Sequence, residues 1–508
     1  MSSVNNKRIA KNTMYLYLRM LFVMAVGLYT VRAILNILGV VDYGLYNVVG
    51  GVVTMFAFMN RTLSSSSQRY FSIELARCDK NRLNKWFCLN ITSYLAIGFV
   101  IVIFLETVGL WFVNTQMTIP EERLSAANVV YQLSIISFLF QIVSVPYLAL
   151  VIAHEKMNIF AYVGIVEALG RLAIVFLLTV LTFDKLVIYG ILILFLSVGS
   201  AMTYILYCWK HYPESSYKWY WNTSEVKELF SYSGWHFIGT FAMSCRSQGI
   251  NILLNMFFNP AVNAARAIAF QVNAHVDQLS QNFFIAIKPQ IYKSYATEEY
   301  NEMFKLMMRG TLISTFLISI IAFPFMCGTS YILGLWLVEV PDYAVIFTQL
   351  TLINGLIDAT NGPLIAAVLA TGKIRNYEII LSTIYLMNVP ISYVALLMGG
   401  DPTVTMIISI LLSIVAMITR SIILKMKMNF PYIQYIIIVS KVLLLTASVL
   451  CGIFLLIPNG VTNFIELVAY SIIIFVVVVM LYGIIINNSD RQYVVQYLKN
   501  KLHIRPVV

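Results

Sequence analysis

The chain is a succession of about fourteen apolar stretches, each long enough to cross a bilayer, joined by short polar turns. A membrane-spanning helix needs about 20 predominantly apolar residues. The stretches run over 12–38, 40–62, 86–113, 124–151, 159–182, 186–209, 232–257, 261–287, 307–332, 343–370, 377–399, 403–424, 433–457 and 463–487. They are apolar throughout and do not alternate, which predicts helices and not barrel strands. Of the 508 residues, 60% are hydrophobic and 11% are charged. Soluble chains are about 45–50% apolar and about 25% charged, and one water-soluble core cannot absorb the excess. Disorder, collagen and a small disulfide scaffold are excluded by the same figures. The fold class is therefore an all-α polytopic membrane protein with about 14 transmembrane helices.

Charge tests the count. Lys and Arg number 34 against 23 Asp and Glu, a net +11. In a soluble chain this would raise nucleic acid as a partner; here it reads as a basic cytoplasmic rim, with no nucleic acid expected. If both termini are cytoplasmic, 26 of the 34 basic residues fall on the inner side. They include Lys7, Arg8 and Lys11, the group Arg61, Arg69, Arg77, Lys80, Arg82 and Lys85, then Lys288 and Lys293, and Arg420, Lys425 and Lys427. The outer side shows Arg123, Lys185 and Arg32 against a larger set of acids. The expected location is a bacterial inner membrane, crossed many times, with both ends inside. The first apolar run is too long for a signal-peptide core and lacks an A-x-A site, so it is expected to remain as the first span.

The longest internal connection, about 210–231, sets Tyr217, Trp219, Tyr220 and Trp221 among charges, as suits the headgroup layer. Asn222 with Glu225 is expected to cap a short helix leading into span 7. This segment divides the chain into 1–210 with six spans, a linker at 211–231, and 232–424 with six more; 425–508 adds two spans and a basic tail. A faint internal repeat aligns 33–48 with 252–267, setting Asn36 opposite Asn255, in corresponding hairpins of the halves.

Polar residues at helical spacing mark faces that avoid lipid, because a charge at membrane depth costs about 2.5–3.5 kcal/mol on insertion scales. Four such stripes occur. Span 2 has Tyr43, Asn47, Thr54 and Arg61; span 4 has Ser134, Ser137, Gln141 and Ser144; span 8 has Arg266, Asn273, Asp277 and Gln281; span 10 has Thr348, Thr351, Asn354, Asp358 and Asn361. Hydrogen bonding between helices accounts for the span 4 set. Two ionisable groups on one face of span 8 point to a water-filled cavity. Further charges lie at depth. Arg19 shares a face with Asn12, Tyr15 and Thr30; Glu167 and Arg171 stand four residues apart, either as an ion pair or as part of a site. Arg246 lies at a helical angle opposite Ser244, Gln248, Asn251 and Asn255 and is read as serving a different surface. Glu106, Lys441 and Glu466 near span ends are explained by snorkelling. Pro146, Pro324, Pro363 and Pro390 can kink their helices.

Guanidinium groups fork onto phosphate oxygens, so an arginine-lined cavity suits an anionic or pyrophosphate headgroup. The candidate headgroup ligands are Arg19, Arg266, Arg171, Arg246 and Asn273. Asp277, Asp358 and Glu167 are candidate ion-coupling carboxylates, with room for an H+ or Na+ gradient. The six cysteines are scattered, with no CxxC pair, and the five histidines form no HxxxH or HExxH pattern, so neither metal nor cofactor is expected.

The segments 12–51 (NTMYLYLRMLFVMAVGLYTVRAILNILGVVDYGLYNVVGG), 146–172 (PYLALVIAHEKMNIFAYVGIVEALGRL), 282–296 (NFFIAIKPQIYKSYA) and 352–378 (LINGLIDATNGPLIAAVLATGKIRNYE) resemble Wzx-type polysaccharide flippases of the MOP exporter superfamily, in the manner of surface-polysaccharide clusters of Bacteroidetes. The resemblance implies two six-helix lobes in a V plus two C-terminal helices, a MATE-like fold worked by alternating access. It implies as cargo an undecaprenyl-pyrophosphate-linked oligosaccharide repeat unit, and as partners this lipid-linked oligosaccharide, membrane lipids and polysaccharide polymerase machinery. The related lipid II flippase carries arginines in helices 1, 2 and 8; Arg19 and Arg266 occupy comparable helices, whereas span 2 departs from the pattern with Arg61 near its cytoplasmic end. The alternative within the superfamily is a cation-coupled multidrug antiporter, which would need a more acidic or aromatic cavity. A membrane enzyme is disfavoured by the short outer loops and by the absence of paired catalytic carboxylates, a Ser/His/Asp set or a phosphate-cradling Gly-rich loop.

Overall fold

The computed structural model describes residues 3–54, 56–115, 119–181, 183–258, 260–337, 340–456 and 461–485. The side chains of Arg32, Tyr43, Asn47, Thr54 and Arg61 lie outside that description, as do the basic residues of the C-terminal tail, so the span 2 stripe is not placed.

Every regular element is helical among the described residues. In order they are α1 (Ser3–Thr54), α2 (Ala57–Ala76), α3 (Lys80–Phe104), α4 (Leu110–Thr115), α5 (Glu121–Ala153), α6 (Met157–Val180), α7 (Lys185–His211), α8 (Thr223–Phe257), α9 (Pro260–Ala296), α10 (Tyr300–Cys327), α11 (Thr329–Trp336), α12 (Ala344–Ala370), α13 (Arg375–Leu386), α14 (Asn388–Leu397), α15 (Val404–Met428), α16 (Tyr432–Leu456) and α17 (Phe464–Ile485). Ten spans among them are long and apolar enough to cross a membrane. The four other expected spans fall on α1, α2, α8 and α9. These form long helices, and α8 and α9, the more polar pair, are two of the helices that wall the cavity described below.

Helix breaks follow local chemistry. α1 is interrupted at Gly39, whose φ of 77° is a left-handed conformation that glycine adopts without steric cost. Asn36 stands three residues before this break, and Asn255 stands just before the break between α8 and α9. A π-helical turn, Leu105–Gly109, joins α3 to α4. There the Tyr131 hydroxyl donates to the Leu105 carbonyl at 2.7 Å. Gln132 donates to Glu106 at 3.0 Å, so Glu106 is held by a partner helix and does not simply snorkel. The linker after α7 is a 3-10 turn, Pro213–Ser215, then extended chain pinned by Asn84, which donates to the Glu214 and Ser216 carbonyls. Asn222 accepts from the Ser224 and Glu225 amides at the start of α8, the expected cap. It caps one continuous helix to Phe257 and not a separate short one.

The chain packs as two compact units. Unit 1 holds residues 1–237 and 285–299; unit 2 holds 238–284 and 300–508, so α8 and α9 each contribute to both. In unit 1, Val49, Val53, Tyr94, Leu105, Tyr131, Phe138 and Ile142 form a buried cluster across α1, α3 and α5. In unit 2, Leu254, Phe323, Phe347, Val442, Val478 and their neighbours form an extensive cluster, which includes α16 and α17. Tyr482 of α17 meets Ser319 at 3.1 Å and Tyr435 of α16 donates to the Thr360 carbonyl at 2.7 Å. With lipid on the outside, such packing and hydrogen bonding hold the helices together in place of a hydrophobic drive.

Two ionic clusters tie unit 1. Arg123 bridges Asp42 at 2.5 Å and Asp184 at 2.6 Å, joining α1, α5 and the N-cap of α7. At the other end of α5, the buried Glu155 carboxylate takes Lys293, Gln290 at 2.6 Å and Arg8 at 3.1 Å. The Glu155 carbonyl takes Asn12 at 3.0 Å. Beside it His154 stacks on Tyr212 and contacts Glu214 at 2.9 Å. Burial holds the His154 imidazole below its ordinary value of 6.5; Glu214 opposes that shift, and Lys293 and Lys156 reinforce it. The unfolded chain therefore takes up this proton at a higher pH than the folded one, and stability contributed at neutral pH is lost as pH falls through the ordinary histidine range. Thermal unfolding in detergent is expected to drop more steeply between about pH 7 and 5 for the native chain than for His154→Gln. Equal slopes would show that this contact carries no proton-linked stability.

Candidate functional site

Unit 2 encloses a cavity of about 230 Å³, with room for several ordered waters. α8 contributes Met243, Arg246, Ser247 and Ile250, spaced i, i+3, i+4, i+7, one face of a helix. α9 contributes Arg266, Phe270 and Asn273 at the same periodicity; α12 adds Thr351, Asn354 and Asp358; α15 adds Ser409.

Arg266 is nearly fully buried. Its guanidinium lies 4.1 Å from the Phe270 ring centre, donating to Asn251 Oδ1 and, at 3.2 Å, to the Ser247 carbonyl. Its Nε has no hydrogen-bond partner among the described residues. Arg246 donates to the Ser409 carbonyl at 3.3 Å and lies over Tyr385. The two arginines are near enough to interact electrostatically, and Asp358 interacts with Arg246. Neither arginine has an ion pair among the described residues, so two like charges stand over one cavity with donor capacity unspent.

Asp358 accepts from Asn354 at 2.8 Å, while Asn354 Oδ1 has no hydrogen-bond partner among the described residues. Asn273 packs its carbonyl oxygen against Gly355; a Cβ there would come within 2.5 Å of it. Asp277 is one turn further along α9, accepts from Gln281 at 3.2 Å, and interacts electrostatically with Asp358. Thr348 and Thr351 bond back to carbonyls of their own helix, which leaves Asn354 and Asp358 as the polar reach of α12 into the cavity.

The structure thus brings together Arg246, Arg266, Asn273 and Asp358, with Asp277 adjacent. Arg246 corrects the expectation from helical angle. Ser244, Gln248 and Asn255, read as the lining stripe, are exposed, and the face holding Arg246 forms the wall. A second correction concerns Arg420, which the charge pattern assigned to the cytoplasmic rim. It is buried, donating to the Tyr377 hydroxyl at 3.1 Å and to the Tyr385 hydroxyl, with Nη1 unpartnered, and it interacts electrostatically with Asp358. Its seven-residue spacing from Ser413 was the available signal.

Arg19 and Glu167 belong to unit 1. Arg19 lies flat on α6, its guanidinium 4.2 Å from the Phe160 ring centre. Gly164 permits that approach, since a Cβ would stand 2.1 Å from Nε. Tyr204 and Glu167 are its electrostatic neighbours, and Nε is buried without a hydrogen-bond partner among the described residues. Arg171 is exposed and makes no ion pair with Glu167 among the described residues, so the i,i+4 pairing does not form. Glu167 instead faces Arg19 across the α1–α6 packing. In the span 4 stripe, Ser134, Ser137 and Ser144 bond to their own helix, and Gln141 alone reaches another, at Ser197.

Residues 9–279, just over half of the chain, match the family described as polysaccharide biosynthesis protein. The chain belongs to this family. A search among curated proteins gave no match. Solved structures show the fold. A MATE transporter in complex with MaD5 aligns with TM-score 0.69 at 12% identity, covering 82% of this chain and 96% of that one. An outward-facing multidrug resistance MATE family transporter of the MOP superfamily aligns at 0.68 and 13%, covering 83% and 96%. A MOP superfamily transporter from Pyrococcus furiosus aligns at 0.64 and 13%, again over 83% and 96%. This member of the polysaccharide biosynthesis family is therefore a multi-pass membrane protein with the MATE-like fold of MOP-superfamily transporters.

Proposed function

We propose that this transporter moves an undecaprenyl-pyrophosphate-linked oligosaccharide repeat unit from the cytoplasmic to the outer leaflet of a bacterial inner membrane, by alternating access, for surface polysaccharide synthesis. The observation that carries this is the pair Arg246 and Arg266 over one cavity, like-charged and, among the described residues, without ion pairs and with unspent guanidinium donors. A diphosphate is the group such a pair recognises, by forked N–H donation to its oxygens. The family match supplies the polysaccharide context. The P. furiosus relative is described as having a binding pocket of reverse polarity that suggests a different function, and a basic cavity here fits a departure from drug export in the same sense. Asp358 and Asp277 beside the arginines are the groups proposed to couple transport to H+ or Na+. An inside-negative potential favours outward movement of an anionic headgroup by about 2.3 kcal/mol per charge per 100 mV.

Cells lacking the protein are expected to lose surface polysaccharide and to accumulate lipid-linked repeat units facing the cytoplasm, both corrected by the native chain. Asp358→Asn is expected to leave folding intact and remove the gradient response: export rate in membrane vesicles no longer changes when a proton or sodium gradient is imposed. Unchanged surface polysaccharide together with lost cationic-drug efflux would replace this reading with the antiporter one.

A further inference from the structure

Tyr217, Trp219 and Trp221 form an exposed aromatic row in unit 1. The strap between the 3-10 turn at Pro213–Ser215 and α8 is extended, and extended chain sends alternate side chains to opposite sides. Residues 217, 219 and 221 therefore share a side, and they are 45%, 74% and 49% exposed. Tyr220, of the other set, is half-buried. Its ring centre lies 5.6 Å from the Lys85 ammonium, and its hydroxyl donates to Glu225 at 3.0 Å.

The strap is fixed along α3. Asn84 donates to the Glu214 carbonyl at 2.8 Å and to the Ser216 carbonyl at 2.7 Å. The Lys218 amide donates to Cys88 Sγ at 3.3 Å, and the Tyr217 and Thr92 hydroxyls meet at 3.1 Å. Asn84, Cys88 and Thr92 recur every four residues, so they share one face over about 12 Å of helix. Over that same length α3 passes from its charged start, Lys80 to Lys85, into its apolar stretch. The aromatic row is thus held where a crossing helix leaves the headgroup layer for hydrocarbon.

Trp and Tyr at that level partition into the headgroup layer. The charge beside them selects among headgroups. Lys85, Lys210 and Lys218 are exposed, and among the described residues none of them makes an ion pair. The neighbouring acids are turned elsewhere: Glu214 is buried against His154, and Glu225 takes the Tyr220 hydroxyl. A leaflet carrying anionic lipid attracts each such cation.

We propose that this strap, with Lys85 and Lys210 beside it, is a docking surface for anionic phospholipid headgroups. Trp219 and Trp221 seat it in the headgroup layer, and the three lysines make the seat selective for negative charge. The surface stands whether or not the cargo is the one proposed above.

The test uses the full chain in nanodiscs, with Trp219 and Trp221 as reporters. Their share of the fluorescence is the difference between the native chain and Trp219→Phe/Trp221→Phe. Brominated phosphatidylglycerol or brominated phosphatidylcholine is added, at the same low mole fraction, to an unlabelled neutral bilayer. Phosphatidylglycerol is expected to quench the reporters about threefold or more in excess of phosphatidylcholine, a preference that about 1 M salt removes. Lys85→Gln/Lys210→Gln/Lys218→Gln is expected to equalise the two lipids, and arginine at the same three positions to keep the preference. Lys218→Gln alone is expected to lower it in part, and serves if the triple variant does not fold. Equal quenching by both lipids in the native chain, or a preference that the lysine substitutions leave unchanged, overturns the selectivity. No quenching by either lipid overturns the docking itself. Loss of glycan export with the preference intact would count against the cargo and not against the strap.

Discussion

Arg266→Gln is expected to reduce surface polysaccharide export by about 10- to 100-fold, since a hydrogen bond from a charged group contributes about 1.5–3 kcal/mol and each 1.4 kcal/mol is tenfold. Stability should move the other way or not at all. Arg266 is 4% exposed and has no counter-charge among the described residues, so its removal relieves a buried, unpaired cation. A binding site commonly trades stability in this manner. Arg266→Lys should rescue little, because an ammonium cannot both hold Asn251 and the Ser247 carbonyl and present a fork to a phosphate. Export and thermal stability measured on the same variants check the pair of outcomes. A stability loss large enough to account for the export defect would make Arg266 structural.

Glu155→Ala is expected to destabilise the protein by about 3 kcal/mol, the lower end for breaking a buried ion pair from one side. The Glu155 side chain is 1% exposed and is met by Lys293, Arg8 and Gln290. Removing it leaves two cations and an amide facing one another at the junction of α1, the α5–α6 turn and the end of α9. Glu155→Gln keeps acceptor and shape, and should cost less. A lowered unfolding temperature in detergent, larger for Ala than for Gln, is the readout. Lys293→Met should fall between them, since Lys293 remains partly exposed.

The sequence made the helical, multi-pass architecture readable because twenty-residue apolar runs have one physical solution in lipid. Ten spans among the described residues meet the apolar criterion in the structure, and α8 and α9 fall short of it. In α8 and α9 the same polar residues that blur the hydropathy signal mark the cavity wall. Arg266, Asn273 and Asp358 were legible from spacing alone. Arg246 was named as a candidate although its helical angle set it on another surface; Arg420 and Arg69 were counted with the cytoplasmic charges, and both are buried. In α8, Ser244, Gln248 and Asn255 of the polar stripe are exposed while Asn251 holds Arg266, so helical angle alone did not identify the cavity face. Arg420 and Arg69 belong to basic runs that extend past the span ends, and a count of charges does not separate a rim residue from one that turns inward. Tyr377 and Tyr385, the acceptors that hold Arg420, come from another helix and have no sequence signature.

Translocation in proteoliposomes tests the central claim directly. Purified protein is reconstituted with a fluorescent polyprenyl-diphosphate-linked saccharide, and the fraction accessible to an external quencher is followed over time. The account predicts protein-dependent transbilayer movement that Arg246→Gln/Arg266→Gln abolishes and that a cationic drug does not compete. Movement unaffected by the double substitution, or transport of the cationic drug in place of the lipid, would contradict it.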